Sequence, residues 1–138
     1  MLTLDEMTAL QVKINAIYKK LEIEIKTKKV LEEIGFPVKE KGCVYLILAV
    51  KTAIKNQIFL QDALYETVSQ ELSIAKDECE REISGAIARW RAKEKLLRLN
   101  GKGVKKYDLF SESEPTNEEF IARLVNAVLV ETKNERNC

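Results

Sequence analysis

Lys76-Asp77-Glu78-Cys79-Glu80-Arg81-Glu82-Ile83-Ser84-Gly85-Ala86-Ile87-Ala88-Arg89-Trp90 is the stretch that decides how this chain is read. Cys79, Ile83, Ala86, Ile87 and Trp90 recur at intervals of three and four, the signature of a helix with one buried stripe. A shorter periodic stretch precedes it, Phe59 to Leu72, with Leu60, Leu64, Val68 and Leu72 on one face. The tight Ser73-Ile74-Ala75 corner joins the two. This pattern predicts a helix-turn-helix, a pair whose second helix presents its exposed face to the DNA major groove.

Composition supports a helical reading of the rest. The chain has 138 residues, 46% hydrophobic and 33% charged, with five glycines and two prolines. That is one domain, or one domain with a helical extension, large enough to bury a core. The formal net charge is +1, so no global field draws the protein onto nucleic acid, and contacts of that kind must come from local clustering. Histidine is absent, which removes the usual general base and the favoured transition-metal ligand. Cys43, Cys79 and Cys138 are widely spaced and match neither a disulfide framework nor a zinc site. No cofactor and no metal is expected. No apolar run reaches a membrane span and no signal-peptide core opens the chain, so the expected compartment is the cytoplasm.

Working outward, residues 5 to 34 are almost free of helix breakers. Met7, Leu10, Ile14, Ile17 and Leu21 follow the alternating three-four spacing of a coiled-coil seam. Two readings fit this stripe: a dimer seam, or an amphipathic helix docked on its own domain. Gly35 and Pro37 form a stop signal. A helix from about Cys43 to Gln57 follows, then the helix-turn-helix, whose second helix extends to Leu97 or Leu99 before Asn100-Gly101. Gly101 to Ser113 reads as a loop. Glu114-Pro115-Thr116-Asn117-Glu118-Glu119 is a helix start, with Thr116 or Asn117 as the cap. The last helix carries Phe120, Ile121, Leu124, Val125, Val128 and Leu129, and its charged end from Glu131 is expected to fray. The expectation is an all-α fold of five to six helices. Residues 1–26 form the N-terminal extension, 27–133 the helix-turn-helix domain, and 134–138 a charged tail.

Three stretches resemble a known family. Glu33-Ile34-Gly35-Phe36-Pro37, with Lys41-Gly42-Cys43-Val44-Tyr45-Leu46 and Ala49, is similar to the opening of the C-terminal effector domain of the sporulation stage 0 response regulator. Leu64-Tyr65, then Glu80-Arg81, Ile83, Ala86 and Ile87, resembles its helix-turn-helix. Glu114 to Ala122 resembles the start of its last helix. The resemblance implies a compact six-helix DNA-binding domain that binds tandem copies of a short DNA box, with a recognition helix beginning near Lys76. It also implies dimerisation, through the last helix, residues 117–130, or here through residues 7–21. Family members carry a phosphoacceptor receiver domain. Twenty-six residues before Thr27 are expected to be too few for one, so this chain reads as a receiverless relative.

On the predicted recognition helix, Asp77, Glu78, Arg81, Ser84, Gly85 and Ala88 oppose the apolar stripe. Arg81 is the candidate for a bidentate guanine contact, a pairing worth ~1–3 kcal/mol of discrimination; an ion pair with Asp77 or Glu78 is the alternative. Glu80 matches a family position able to accept from cytosine. The family's second arginine is replaced by Ser84, and the next position is Gly85. Beyond this helix, Arg89, Arg91, Lys93, Lys95, Arg98, Lys102, Lys105 and Lys106 oppose only Glu94, a cluster suited to phosphates. The candidate DNA contacts are thus Lys76, Glu80, Arg81, Ser84, Arg89, Arg91, Lys93, Lys102 and Lys105. Without histidine, metal constellation or nucleophile motif, an enzyme is the weakest class. A regulator binding double-stranded DNA, and contacting RNA polymerase, is the leading expectation. A protein-interaction module with degraded base recognition is the alternative.

Overall fold

The computed structural model describes residues 1–57, 61–103, 107, 109 and 113–136, without the side chains of residues 20, 61 and 133–136. Five helices account for the described secondary structure: α1 Leu4–Glu33, α2 Lys41–Asn56, α3 Gln61–Leu72, α4 Lys76–Leu99 and α5 Asn117–Arg136. Among the described residues there is no strand, and the chain is all-α as its periodicity predicts. Phe59, Leu60, Lys105, Lys106 and Cys138 lie outside the described residues.

The helix ends follow local chemistry. Thr3 caps α1, its hydroxyl accepting the Glu6 N–H at 3.2 Å, and Asp5 and Glu6 complement the helix dipole. Gly35, at φ +75°, ends α1, and the Phe36 N–H returns to the Leu31 carbonyl at 2.9 Å. That bend turns Phe36 into the core, where its ring meets Trp90 and Phe120. The Trp90 indole N–H donates to the Ile34 carbonyl at 2.8 Å, satisfying one of the orphan acceptors of the α1 end.

α2 is the central helix, packed against the other four. Leu46, Ala49, Val50 and Ala53 are fully buried along it. Gly42 lets it cross α4 closely: a Cβ there would sit 2.7 Å from the Ala86 Cβ and still nearer the Glu82 carbonyl oxygen. Buried Lys51 ties three helices, reaching Glu24 of α1 at 3.1 Å and Glu71 of α3 at 3.3 Å.

The two ends of α1 behave differently. Every residue from 1 to 22 whose side chain is described is exposed, and packing on the domain begins at Ile23. The helix therefore does not dock its apolar stripe on its own domain; it projects. At the other terminus α5 continues to Arg136, and residues 137–138 of the tail expected to fray lie outside the described residues. Lys29 holds Glu131 at 3.4 Å, Tyr107 approaches it at 3.0 Å, and Lys26 reaches Thr132 at 3.4 Å. Within the stretch read as a loop, Tyr107 and Leu109 are buried.

Candidate nucleic-acid interface

α3 and α4 form the helix-turn-helix around a corner with Ser73 in the left-handed region, φ 57°. The Ile74 N–H closes on the Ser69 carbonyl at 3.0 Å, so the turn ends α3 tightly without a glycine. Burial of Leu64, Tyr65 and Val68 on one helix and of Cys79, Ile83, Ala86, Ile87 and Trp90 on the other fixes the pair against the core. Leu72, expected to be buried, is only half-buried.

The outward face of α4 then follows from its register. Asp77, Glu80, Arg81, Ser84 and Ala88 are exposed, while Glu78 is half-buried. Arg81 forms no ion pair among the described residues, so neither Asp77 nor Glu78 holds it. Lys76 instead bridges to Asp62 of α3 at 3.4 Å. Ser84 donates to Asn117 Oδ1 at 3.0 Å, which turns a candidate base contact toward α5. Asn117, in turn, is not the helix cap. Thr116 takes that role, accepting the Glu119 N–H at 3.1 Å, and the Asn117 amide donates to the Tyr65 hydroxyl at 2.8 Å and the Glu80 carbonyl at 3.3 Å. Beside them a cavity of about 340 Å³ is lined by Glu80, Ser84, Asn117, Glu114 and Glu118.

The basic stretch divides when folded. Arg89 leans over Gly85, whose Cβ would lie 3.1 Å from its Nη1, and pairs with Glu40 at the start of α2. Arg98 meets Glu94 at 3.1 Å; that carboxylate is almost fully buried, which its place among lysines did not announce. Arg91 is half-buried. Lys93, Lys95 and Lys102 are exposed and form no ion pair among the described residues. Arg89 is exposed as well but paired, so these lysines are the exposed cations of the stretch without an ion pair among the described residues, while Lys105 falls outside them. Sequence reading missed both Glu40 and Asn117, since each joins the site through tertiary contact alone.

The family model described as sporulation initiation factor Spo0A C terminal matches residues 27–128, well over half the chain. The chain belongs to that family. The Spo0A C-terminal family is one of DNA-binding transcription-factor domains rather than enzymes, which agrees with a helix-turn-helix on an all-α scaffold. The three stretches that resemble it, around Gly35, Arg81 and Thr116, all lie inside the matched residues. No curated protein matches the chain. Among the described residues no helix is long and apolar enough to cross a membrane, and no cluster of metal-ligating side chains occurs.

Proposed function

We propose that this chain is a transcriptional regulator of the sporulation-initiation effector type, binding duplex DNA through α3 and α4. The observation that carries the reading is Arg81, exposed on the first half of α4, away from the buried stripe and held by no carboxylate among the described residues. Its planar fork suits guanine O6 and N7, while Lys93, Lys95 and Lys102 suit phosphates. Glu80, exposed beside it, is of a type that accepts from a cytosine amino group. The regulator acts in the cytoplasm as a pair of copies and passes its signal to RNA polymerase.

Fluorescence anisotropy with two labelled duplexes tests this, one carrying tandem family boxes and one scrambled. Tighter binding to the boxes, lost in Arg81→Ala, is the expected result. Equal binding to both duplexes removes base recognition from the reading, and no binding at low salt removes DNA altogether.

A second reading is favoured by one observation. Of the candidate base contacts, Ser84 is engaged by Asn117 and Lys76 by Asp62, and Asp77 and Glu80 add negative charge beside Arg81. Such a face also suits a basic protein surface. A pull-down in which Arg81→Ala leaves partner capture intact, with no DNA binding by the parent chain, would favour this reading.

A further inference from the structure

The projecting half of α1 leaves an apolar stripe in water. Met7 is 53% exposed, Leu10 47%, Ile14 36%, Ile17 58% and Leu21 44%, an arrangement a lone soluble helix does not hold at no cost. We infer that this stripe forms a parallel two-stranded coiled coil with the same helix of a second copy of the chain. The inference deepens the pairing of copies in the reading above, and it rests on the surface of α1 rather than on DNA binding.

Three features select this occupant. First, the spacing is that of a heptad, with Met7, Ile14 and Leu21 at a and Leu10 and Ile17 at d, which gives five layers when two such helices meet. Second, the stripe lies on the side of α1 opposite Thr27, Val30 and Ile34, the residues that enter the core. A second helix can therefore run along the whole seam without meeting the domain. Third, the competing surface is already used. Phe120, Leu124 and Val128 of α5 are buried in the core, and of its large apolar side chains only Leu129 and Val130 are exposed.

The number of apolar layers decides the direction. In a parallel pair, Glu6 and Lys13 at g face Gln11 and Tyr18 at e of the other copy, so no like charges meet, and the Lys13 ammonium can lie over the Tyr18 ring. An antiparallel pair that matches Met7 with Ile17 and Leu10 with Ile14 brings Glu6 near Lys20 but sets Lys13 against itself, and it leaves Leu21 against Thr3, keeping four apolar layers where the parallel pair has five. Sliding that pair by one heptad puts Glu24 opposite Met7, and Glu24 is held by Lys51 at 3.1 Å. The parallel arrangement also delivers both helix-turn-helix units from the same end of the coil. With a seam this short the pair is concentration-dependent, since so few turns add little beyond the cost of helix formation.

The test is sedimentation equilibrium of the whole chain over a wide concentration range, followed by crosslinking. The expected mass at high concentration is twice 15.8 kDa, falling to the monomer in Leu10→Glu/Ile17→Glu with the thermal unfolding of the domain unchanged. For direction, Leu10→Cys in a Cys138→Ser background should form a disulfide with its own copy on oxidation, Cys43 and Cys79 being buried. A monomer at every concentration overturns the inference, as does a dimer indifferent to the two glutamates. Crosslinking only between Leu10→Cys and Ile14→Cys chains overturns the parallel direction. None of these readouts involves DNA, so failure of DNA binding and failure of the coil are separable.

Discussion

The Ser84 hydroxyl lies 3.0 Å from Asn117 Oδ1, and the Asn117 amide spans to the Tyr65 hydroxyl at 2.8 Å. One asparagine thereby joins α3, α4 and the start of α5 behind the outward face of α4. Ser84 is thus engaged in holding the scaffold. Asn117→Ala removes the bonds to the Tyr65 hydroxyl, the Glu80 carbonyl and Ser84 and should cost about 1–3 kcal/mol, whereas Ser84→Ala, at an exposed site, should cost about 1 kcal/mol. Neither should alter discrimination between boxed and scrambled duplexes. Urea unfolding measures the first pair of effects, and anisotropy the second; lost discrimination in Ser84→Ala would make it a base contact.

Two glycines facing different neighbours should respond to alanine with opposite signs. At Gly42 the new methyl meets the Glu82 carbonyl and Ala86, both on rigid α4, so α2 must shift. Overpacking of this kind costs about 1–3 kcal/mol. At Gly85 the nearest atoms belong to the movable tip of Arg89, at 3.1 Å. There the helix-propensity gain, at most about 1 kcal/mol, should prevail. Denaturation midpoints of Gly42→Ala and Gly85→Ala falling on opposite sides of the parent would bear this out.

What the sequence made legible was what depends on near neighbours. The stripe from Cys79 to Trp90, the stop at Gly35 and the start at Thr116 are all set within about a helical turn of each residue. Tyr107 and Leu109 sat in a segment without periodicity, yet they are buried. Tyr107 earns its place through Glu33 and Glu131, carboxylates on two other helices that no local pattern links. The candidate interface suffered likewise. Arg89 and Arg98 counted as free cations in the sequence, but Glu40 and buried Glu94 claim them once the chain folds.

Alkali should destabilise the fold through three buried acids. Burial pushes the Cys43 thiol from 9.0 up to about 11, against the lowering effect of Lys28 and with help from Glu32 and Glu40. Burial does the same for Cys79, also to about 11, aided by Glu78 and Glu80. For Tyr107, burial and then the hydrogen bonds to Glu33 and Glu131 raise the phenol well above its ordinary range. Each folded value exceeds the unfolded one, so the fold favours the neutral form. That contribution is complete below the unfolded value and is lost as pH rises toward the folded one. Unfolding free energy should thus hold steady near neutrality, fall above pH ~9 as the thiols begin to matter, and fall more steeply above ~10. Tyr107→Phe should remove the later part of the decline. An unchanged slope in that variant would show that the phenol is not coupled to folding.

The exposed lysines and Arg81 should separate cleanly in a salt titration. Each phosphate neutralised adds close to one unit to the slope of log affinity against log salt, about 0.9 on duplex DNA. Lys93, Lys95 and Lys102 are exposed beyond the first half of α4, so replacing all three by glutamine should flatten the slope by roughly 2–3 units. Boxed and scrambled duplexes should weaken together. Arg81→Ala should do the reverse, erasing ~1–3 kcal/mol of discrimination while changing the slope little. Arg89→Gln belongs to neither group, because Glu40 already neutralises that guanidinium. It should lower stability slightly and leave both the slope and the discrimination intact. A slope that drops in Arg89→Gln as much as in a single lysine variant would mean that DNA displaces Glu40, and would place Arg89 among the phosphate contacts.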